Sequence, residues 1–407
     1  MNHADQPAAE PSGLRRRALW VISMVSALYG VQVGMLLPLV PLYVLSLGYS
    51  FAWLGAVIAA QGAFQFLLRF FGGALSDRFG ERVVLRVGLL AVVMGALLFV
   101  TSESVWALIG AQLFIGVARA IYNPAAQSYA TRISETDRAR IIGRYRAAEA
   151  LGQGAGPLLS GIFIWGVGFD AGFMVVVAGS VAALLASLLL PELPRRTAVT
   201  LIEVFRAIPG IVRSRALLLA GICAFGLSVS VAVLMSVGIA FFSETGIDEV
   251  VIGLAATVFT MAAAIGSYGF GRIMTVLGQR LVFVLGVGGV GVMWLSIAGA
   301  GGSMIVLLPA MLLGGVAASL GNNLRTLLSA EHSAPEQRGL AMALVGSYWA
   351  LAQLVVPAVL GVVASLAGLT TALVAGGGFA LLVGVSAPLL FRLLLPRAQA
   401  PAESAGA

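Results

Sequence analysis

The sequence predicts an all-α membrane protein in which twelve transmembrane helices form two pseudo-symmetric six-helix bundles. Three observations support this fold class. Of the 407 residues, 60% are hydrophobic and only 10% are charged, which leaves too little polar surface for a water-soluble fold. Apolar stretches of spanning length recur along the chain. The second half also matches the first at a nearly constant separation. The spans leave no room for a soluble catalytic domain, so an enzyme with such a domain is excluded.

The apolar stretches are bounded by charges or turn residues, and each is close to the ~20 residues that cross a bilayer. They lie at residues 19–45, 52–72, 84–101, 105–127, 141–165, 172–190, 216–242, 251–271, 281–300, 304–326, 339–364 and 371–394. These boundaries predict a tail at 1–18, bundles at 19–190 and 216–395, a linker at 191–215 and a second tail at 396–407. The first apolar run is too long for a signal peptide, so we expect it to be retained as a helix.

The basic residues fix the expected orientation. All 24 are arginines, and with the N-terminus inside, 22 of them fall in the segments on that side. Arg69 and Arg119 lie within spans, and the loops on the opposite side carry acids but no arginine. Cytoplasmic loops are enriched in basic residues. We therefore expect a multi-pass protein of a bacterial inner membrane with both termini and the linker in the cytoplasm.

An internal repeat appears when the second half is moved over the first. At 198 residues, Gly48 matches Gly246, Gly55 matches Gly253, Gly73 matches Gly271, Gly80 matches Gly278 and Arg82 matches Arg280. At 200 residues, Asn123 matches Asn323, Arg138 matches Arg338, Gln153 matches Gln353, Pro157 matches Pro357 and Gly161 matches Gly361. The polar and proline pairs carry the argument, because a glycine-rich chain gives chance glycine matches. Two homologous halves are typical of transporters.

Several chemistries are disfavoured by the residue types. The chain has no lysine, which excludes a Walker A loop and Schiff-base catalysis. Its single cysteine, Cys223, and its two histidines, His3 and His332, are far apart in sequence. We therefore predict no metal site and no cofactor. No short hydrolase or metalloprotease motif occurs, so we expect no enzyme.

A loop motif joins the second and third spans. Its residues are Gly73, Leu75, Asp77, Arg78, Gly80, Arg82 and Leu85. The spacing resembles the loop signature of the major facilitator superfamily, although Glu81 stands where that signature has a basic residue. The two glycines predict a tight turn that places Asp77 at a helix end, where it can face an arginine or a helix N-terminus. The resemblance implies the major facilitator fold and a gating role for Gly73, Asp77, Arg78, Gly80 and Arg82.

The fifth span carries a second motif, made of Gly143, Gly152, Gly156, Pro157 and Gly161. It is similar to the antiporter motif of the same superfamily, with Ser160 in place of one glycine. Small residues four apart let helices approach closely, and Pro157 removes a backbone hydrogen bond. Close packing alone is the alternative explanation. The resemblance implies a twelve-helix drug or metabolite exporter coupled to protons.

Two charges deep in the spans are candidates for proton coupling. Glu149 is the only acid expected well inside a span, and Arg119 lies at a similar counted depth. Arg119 matches a membrane-embedded arginine of the superfamily's third signature, where Tyr122 and Asn123 depart from the usual residues. We expect Arg119 to set the proton affinity of Glu149. Two alternatives stay open: Glu149 pairs with Arg146 one turn away, or it lies closer to the membrane surface.

Polar side chains elsewhere in the spans predict a substrate site. Amides and aromatics in hydrocarbon usually face a cavity or another helix. The candidates are Tyr29, Gln32, Gln61, Gln65, Gln112, Asn123, Gln153, Asn323, Trp349 and Gln353. Trp349 occupies the repeat position equivalent to Glu149. This set suits an amphipathic cation, and equally a sugar or an amino-acid derivative.

These observations predict a secondary transporter that exports small organic molecules by proton antiport, rocking two halves around a midplane cavity. The alternative is an uncoupled facilitator or an importer of a small metabolite such as a sugar or amino-acid derivative. We expect the partners to be a small-molecule substrate, protons and the lipid bilayer. No nucleic acid is expected, and the chain is predicted to act as a monomer.

Overall fold

A computed structural model of the chain describes residues 12–69, 71–133, 137–193, 213–333 and 338–395. Within them every regular element is helical. The helices of the first half are α1 (Ser12–Ser46), α2 (Phe51–Leu68), α3 (Phe71–Phe79), α4 (Glu81–Thr101), α5 (Val105–Arg132), α6 (Arg138–Gly166) and α7 (Phe169–Leu188). Those of the second half are α8 (Arg215–Val233), α9 (Ile239–Glu244), α10 (Glu249–Phe283), α11 (Gly289–Gly299), α12 (Met304–Glu331), α13 (Arg338–Ala367), α14 (Leu369–Val385) and α15 (Ala387–Leu394).

These helices form the twelve predicted spans, which confirms the fold class. One π-helical turn, Leu234–Gly238, joins α8 to α9, and another, Val284–Gly288, joins α10 to α11. By length and composition nine stretches can cross a membrane, or ten if the bent pair α14 and α15 is one span. The stretch Glu249–Gly299 holds two spans, because Gly278 breaks the helix with a φ of 70°. The remaining span is α6, whose charges and glycines lower its hydropathy.

Some helices extend beyond the predicted spans. The helix α1 begins by Ser12, so part of the predicted tail is helical. The second span continues through α3, and Gly73 lies inside that helix rather than in a turn. Gly80 alone makes the turn, with a φ of 87° that favours glycine. The tail at 396–407 and most of the linker lie outside the described residues.

The predicted repeat reappears in the backbone. Six of the eight glycines with positive φ in the described residues form pairs at the repeat separations: Gly48 and Gly246 both have a φ of 77°, Gly80 and Gly278 have 87° and 70°, and Gly168 and Gly368 have 104° and 89°. Each pair lies at an equivalent turn or helix break in the two halves. The same turn geometry is therefore used twice, as expected for duplicated bundles.

Two helix pairs join the halves: α2 packs along α13, and α6 packs along α10. On the side away from Ser12 and Leu395 these pairs approach so closely that main chains touch. A side chain at Gly161 would collide with the carbonyl oxygen of Glu249, and one at Gly361 with that of Phe51. The main-chain nitrogen of Ala52 donates to the Ser365 hydroxyl at 2.9 Å. We call the side that holds the described chain ends, Ser12 and Leu395, the arginine-rich side, and the other the opposite side.

Candidate functional site

Glu149 lies on α6 with Arg146, one turn nearer the arginine-rich side. Arg146 Nη1 donates to Glu149 Oε2 at 3.2 Å, and Arg146 Nη2 donates to Gln127 Oε1 on α5 at 3.1 Å. The Glu149 side chain is 12% exposed and that of Arg146 is 43% exposed. The partner of Glu149 is thus Arg146, which is one of the alternatives that the sequence left open. At 1.5 Å per residue, Glu149 lies about 16 Å from the start of α6.

Arg119 lies deeper, on α5, among aromatic side chains. Tyr29 of α1 stacks on Tyr122 with ring centroids 3.7 Å apart, and the Tyr122 hydroxyl shares a hydrogen bond of 3.1 Å with Ser26. Arg119 interacts electrostatically with Tyr29, and its buried Nε has no hydrogen-bond partner. The described residues give Arg119 no carboxylate partner.

Arg69, Arg146 and Arg325 come together from three helices, and we call these residues the arginine cluster. Arg325 of α12 lies over the Trp349 ring at 5.3 Å, and its Nε donates to Asn322 Oδ1 at 2.9 Å. The Arg69 guanidinium lies against Gly346 of α13, where any side chain would displace it. The charges of the three arginines interact with one another. Arg69 and Arg146 belong to the first half, whereas Arg325 belongs to the second, so the cluster spans the boundary between the halves.

The predicted amides have three different environments. Gln353 is hydrogen-bonded within the protein. Its Nε2 donates to the Ser228 hydroxyl at 2.9 Å, and that hydroxyl donates to the Trp349 carbonyl. Gln153 is exposed, and Asn123 and Asn323 are half-buried. The others are buried: Gln32, Gln61, Gln65 and Gln112. Buried atoms without a partner occur in Gln32, Gln65, Gln112 and Asn323, and in the Tyr29 hydroxyl. A buried polar atom of this kind is unfavourable unless water or a ligand pairs with it.

The predicted antiporter motif packs two helices against α6. Side chains at Gly152 and Gly156 would collide with the main chain of α1, and Gly161 contacts α10. The Pro157 carbonyl faces Gly253, and the Leu158 N–H donates to Thr257 Oγ1 at 3.1 Å. Gly143 has open space around it. Four of the five motif residues therefore pack α6 against α1 of the same half and α10 of the second half.

The loop motif leads into a polar network on the arginine-rich side. Glu81 forms an ion pair with Arg132 and accepts from Ser128 Oγ at 3.0 Å. Arg82 pairs with Glu192 at 3.1 Å, and Arg78 lies over Phe79. Glu81, the departure from the family signature, thus has a local partner. The side chains at Gly73 and Asp77 lie outside the described part of the structure, so the predicted gate of Asp77 is not placed.

The sequence counts Arg146 and Arg325 among the cytoplasmic arginines, and this assignment stays a prediction. Both lie inside helices, eight and six residues from the ends of α6 and α12 that face the arginine-rich side. Both residues also fall within the predicted spans 141–165 and 304–326. Ser228 was missed, because a serine in an apolar run carries no signal of its partner.

Comparisons with known proteins agree with this architecture. A sequence model of the Major Facilitator Superfamily matches residues 22–243 and 217–407. The multidrug efflux protein YfmO of Bacillus subtilis (strain 168) is 27% identical over 182 residues, 44% of this chain and 45% of that protein. The class C tetracycline resistance protein of Escherichia coli is 31% identical over 148 residues, 36% of this chain and 37% of that protein. A mutant of the nucleoside transporter NupG superposes with a TM-score of 0.77 at 14% identity, covering 93% of this chain and all of that one.

Proposed function

The chain belongs to the Major Facilitator Superfamily and is a multi-pass membrane transporter of small molecules, and from this premise we propose that it exports small organic molecules by proton antiport. The arginine-rich side faces the cytoplasm of a bacterial cell, and the halves rock to expose the site to each side in turn. One observation carries the proton coupling. Glu149 is the only carboxylate deep within the spans among the described residues, and it lies beside the arginine cluster at the boundary between the halves.

Glu149 is suited to carry the proton because its charge is balanced by a single neighbour. A carboxylate in a low-dielectric site is stable when it is paired or protonated. In the described state Arg146 supplies the pairing. Loss of that pairing in another state of the cycle favours the protonated acid. The relatives are named as efflux and resistance proteins, which supports export as the direction of transport. The matched segments cover less than half of each relative.

The group that changes the surroundings of Glu149 is on the second half. Arg119 and Glu149 both belong to the first bundle, so rocking of rigid halves leaves their separation unchanged. Arg325 belongs to the second bundle and interacts electrostatically with Arg146. We therefore assign the state-dependent control of Glu149 to Arg325 acting through Arg146, and a fixed electrostatic contribution to Arg119.

The test is transport by the purified chain in proteoliposomes with an imposed pH gradient. A panel of cationic, neutral and anionic aromatic compounds supplies the substrate. We expect Glu149→Gln to abolish accumulation against a gradient while it permits equilibration, because a glutamine cannot bind and release a proton. Glu103→Gln is the matched control, since Glu103 is an exposed acid on the opposite side. Accumulation by Glu149→Gln at the wild-type proton cost would place the coupling elsewhere.

A second candidate function is transport without protons, as an uncoupled carrier or importer. The ion pair favours this function. Glu149 paired with Arg146 is neutral as a unit, so the site can change its exposure from one side of the membrane to the other without binding a proton. The same proteoliposomes distinguish the two functions. Equal flux with and without the pH gradient, in wild type and Glu149→Gln alike, supports the uncoupled carrier.

A further inference from the structure

We propose that the substrates of this site are organic anions, in which a carboxylate or phosphate group is attached to an apolar body of aromatic size. The inference rests on the proposed function only in taking the boundary between the halves as the transport site. It makes no use of the direction of transport or of proton coupling. The evidence is the unequal number of positive and negative side chains that the fold brings to this boundary.

Two arginines outside the cluster have acid partners in the described part of the chain. Arg132 pairs with Glu81, and Arg82 pairs with Glu192. By contrast, the described residues provide no carboxylate for Arg69, Arg119 or Arg325. An arginine within the membrane is unfavourable by ~2.5 kcal/mol or more unless it is paired or solvated. Three such residues in one region indicate that a ligand supplies the missing negative charge.

The net charge of the site is positive. Arg69, Arg119, Arg146 and Arg325 contribute four positive charges and Glu149 one negative charge, which leaves three positive charges. Arg69, Arg146 and Arg325 carry like charges that interact electrostatically, so their mutual repulsion is expected. A bound anion reduces this repulsion, whereas a cation increases it and a neutral sugar leaves it unchanged. The amphipathic cation that the sequence suggested is therefore disfavoured.

The geometry around Arg325 matches recognition of an acid group. Its guanidinium lies over the Trp349 ring, and only its Nε is used, by Asn322. The remaining N–H groups have no partner among the described residues, so they are free for an oxyanion. Arginine binds carboxylate and phosphate through two parallel hydrogen bonds. Trp349, with the stacked pair Tyr29 and Tyr122, provides aromatic surface for the apolar body.

The experiment measures binding of four probes that share one naphthalene ring, using the purified full-length chain in detergent. The probes are 1-naphthoate, 1-naphthyl phosphate, 1-naphthalenemethanol and 1-naphthylmethylamine, and calorimetry gives each Kd. Because a charged hydrogen bond contributes ~1.5–3 kcal/mol, we expect at least one anion to bind ~10- to 100-fold more tightly than the alcohol. The amine should bind most weakly. Comparison of the two anions distinguishes carboxylate from phosphate substrates.

Variants locate the binding site. We expect Arg69→Gln and Arg325→Gln each to weaken anion binding ~10-fold or more while the affinity for the alcohol stays the same. Arg325→Lys should retain part of the anion affinity, because it keeps the charge but loses the paired hydrogen bonds. Arg392→Gln is the matched control, since Arg392 is exposed at the end of the chain's last described helix.

Equal binding of the amine or the alcohol, or absence of binding by both anions, would overturn the proposal. Those comparisons use the wild-type chain, so they hold even if a variant fails to fold. The result is also separate from the proposed function, because binding in detergent needs no gradient. If the Glu149→Gln protein transports like the wild type, proton coupling through Glu149 is refuted, but the proposal that the site binds anions is unaffected.

Discussion

Gly55 of α2 packs directly against the main-chain carbonyl of Pro357 in α13, and Gly253 of α10 packs in the same way against the carbonyl of Pro157 in α6. The two contacts are related by the internal repeat. Proline has no backbone N–H, so one carbonyl in the preceding turn of its helix lacks its usual hydrogen-bond donor. Glycine has no side chain, so it lets the other helix approach closely. Pro157 of the antiporter motif therefore has an equivalent, Pro357, in the second half. The two crossings hold the halves in contact on the opposite side.

These crossings predict the effect of enlarging a glycine. Gly55→Val and Gly253→Val should each separate the halves on the opposite side and reduce transport, because a β-branched side chain has no space there. Spin labels at Trp53→Cys and Leu366→Cys, both exposed, in a Cys223→Ala background, measure the distance between α2 and α13. Gly110→Ala is the control, since it meets only one side-chain atom, at 3.9 Å. Unchanged distances in the valine variants would show that the crossings do not hold this side closed.

The ion pair between Glu81 and Arg132 predicts a large effect on stability. Both side chains are largely buried, at 8% and 12% exposure. Removing one partner of a buried pair typically costs about 3–5 kcal/mol, because the other charge is left unpaired. We expect Glu81→Gln to lower the thermal unfolding midpoint in detergent and the double variant Glu81→Gln with Arg132→Gln to recover much of it.

Arg82 provides the comparison for that pair. Its partner Glu192 is 73% exposed, and an exposed pair contributes only ~0–1 kcal/mol. Arg82→Gln should therefore change the midpoint little. A midpoint drop as large as that of Glu81→Gln would mean that burial does not explain the difference between the two pairs.

Orientation is predicted by the arginines and can be tested by labelling. Thr275 is exposed on the arginine-rich side and Glu103 on the opposite side. In intact cells carrying the Cys223→Ala background, an impermeant thiol reagent should label Glu103→Cys and spare Thr275→Cys. After the cells are opened both should react. The reverse pattern would invert the proposed topology.

An anionic substrate predicts that the membrane potential drives export. One charge moving across 100 mV changes the free energy by ~2.3 kcal/mol, so an interior negative potential expels an anion. In proteoliposomes, a potassium diffusion potential should accelerate efflux of 1-naphthoate and accelerate that of 1-naphthalenemethanol less. If a proton enters for each anion, two charges move and the dependence is about twice as steep. Efflux of 1-naphthoate that is independent of potential would contradict net charge movement.

The sequence by itself determined the number of spans, the side on which the arginines gather and the duplication of the halves. Hydropathy and charge asymmetry are properties of consecutive residues, so they need no knowledge of packing. Repeated turn glycines such as Gly48 and Gly246 were also visible, because each turn's geometry is local. The superfamily that the two motifs indicated is likewise confirmed, since motif spacing is read along the chain.

Only the tertiary structure decided which charges meet. Counted depth placed Arg119 level with Glu149, but Glu149 pairs with Arg146, three residues earlier on the same helix, and the described residues give Arg119 no carboxylate partner. The closeness of Arg69 to Arg325 depends on how α2, α12 and α13 cross, and these residues are 256 positions apart in the chain. Helix crossings and rotations are set by packing among several spans at once. The charge of the site, and with it the class of substrate we infer, therefore emerged from the folded arrangement.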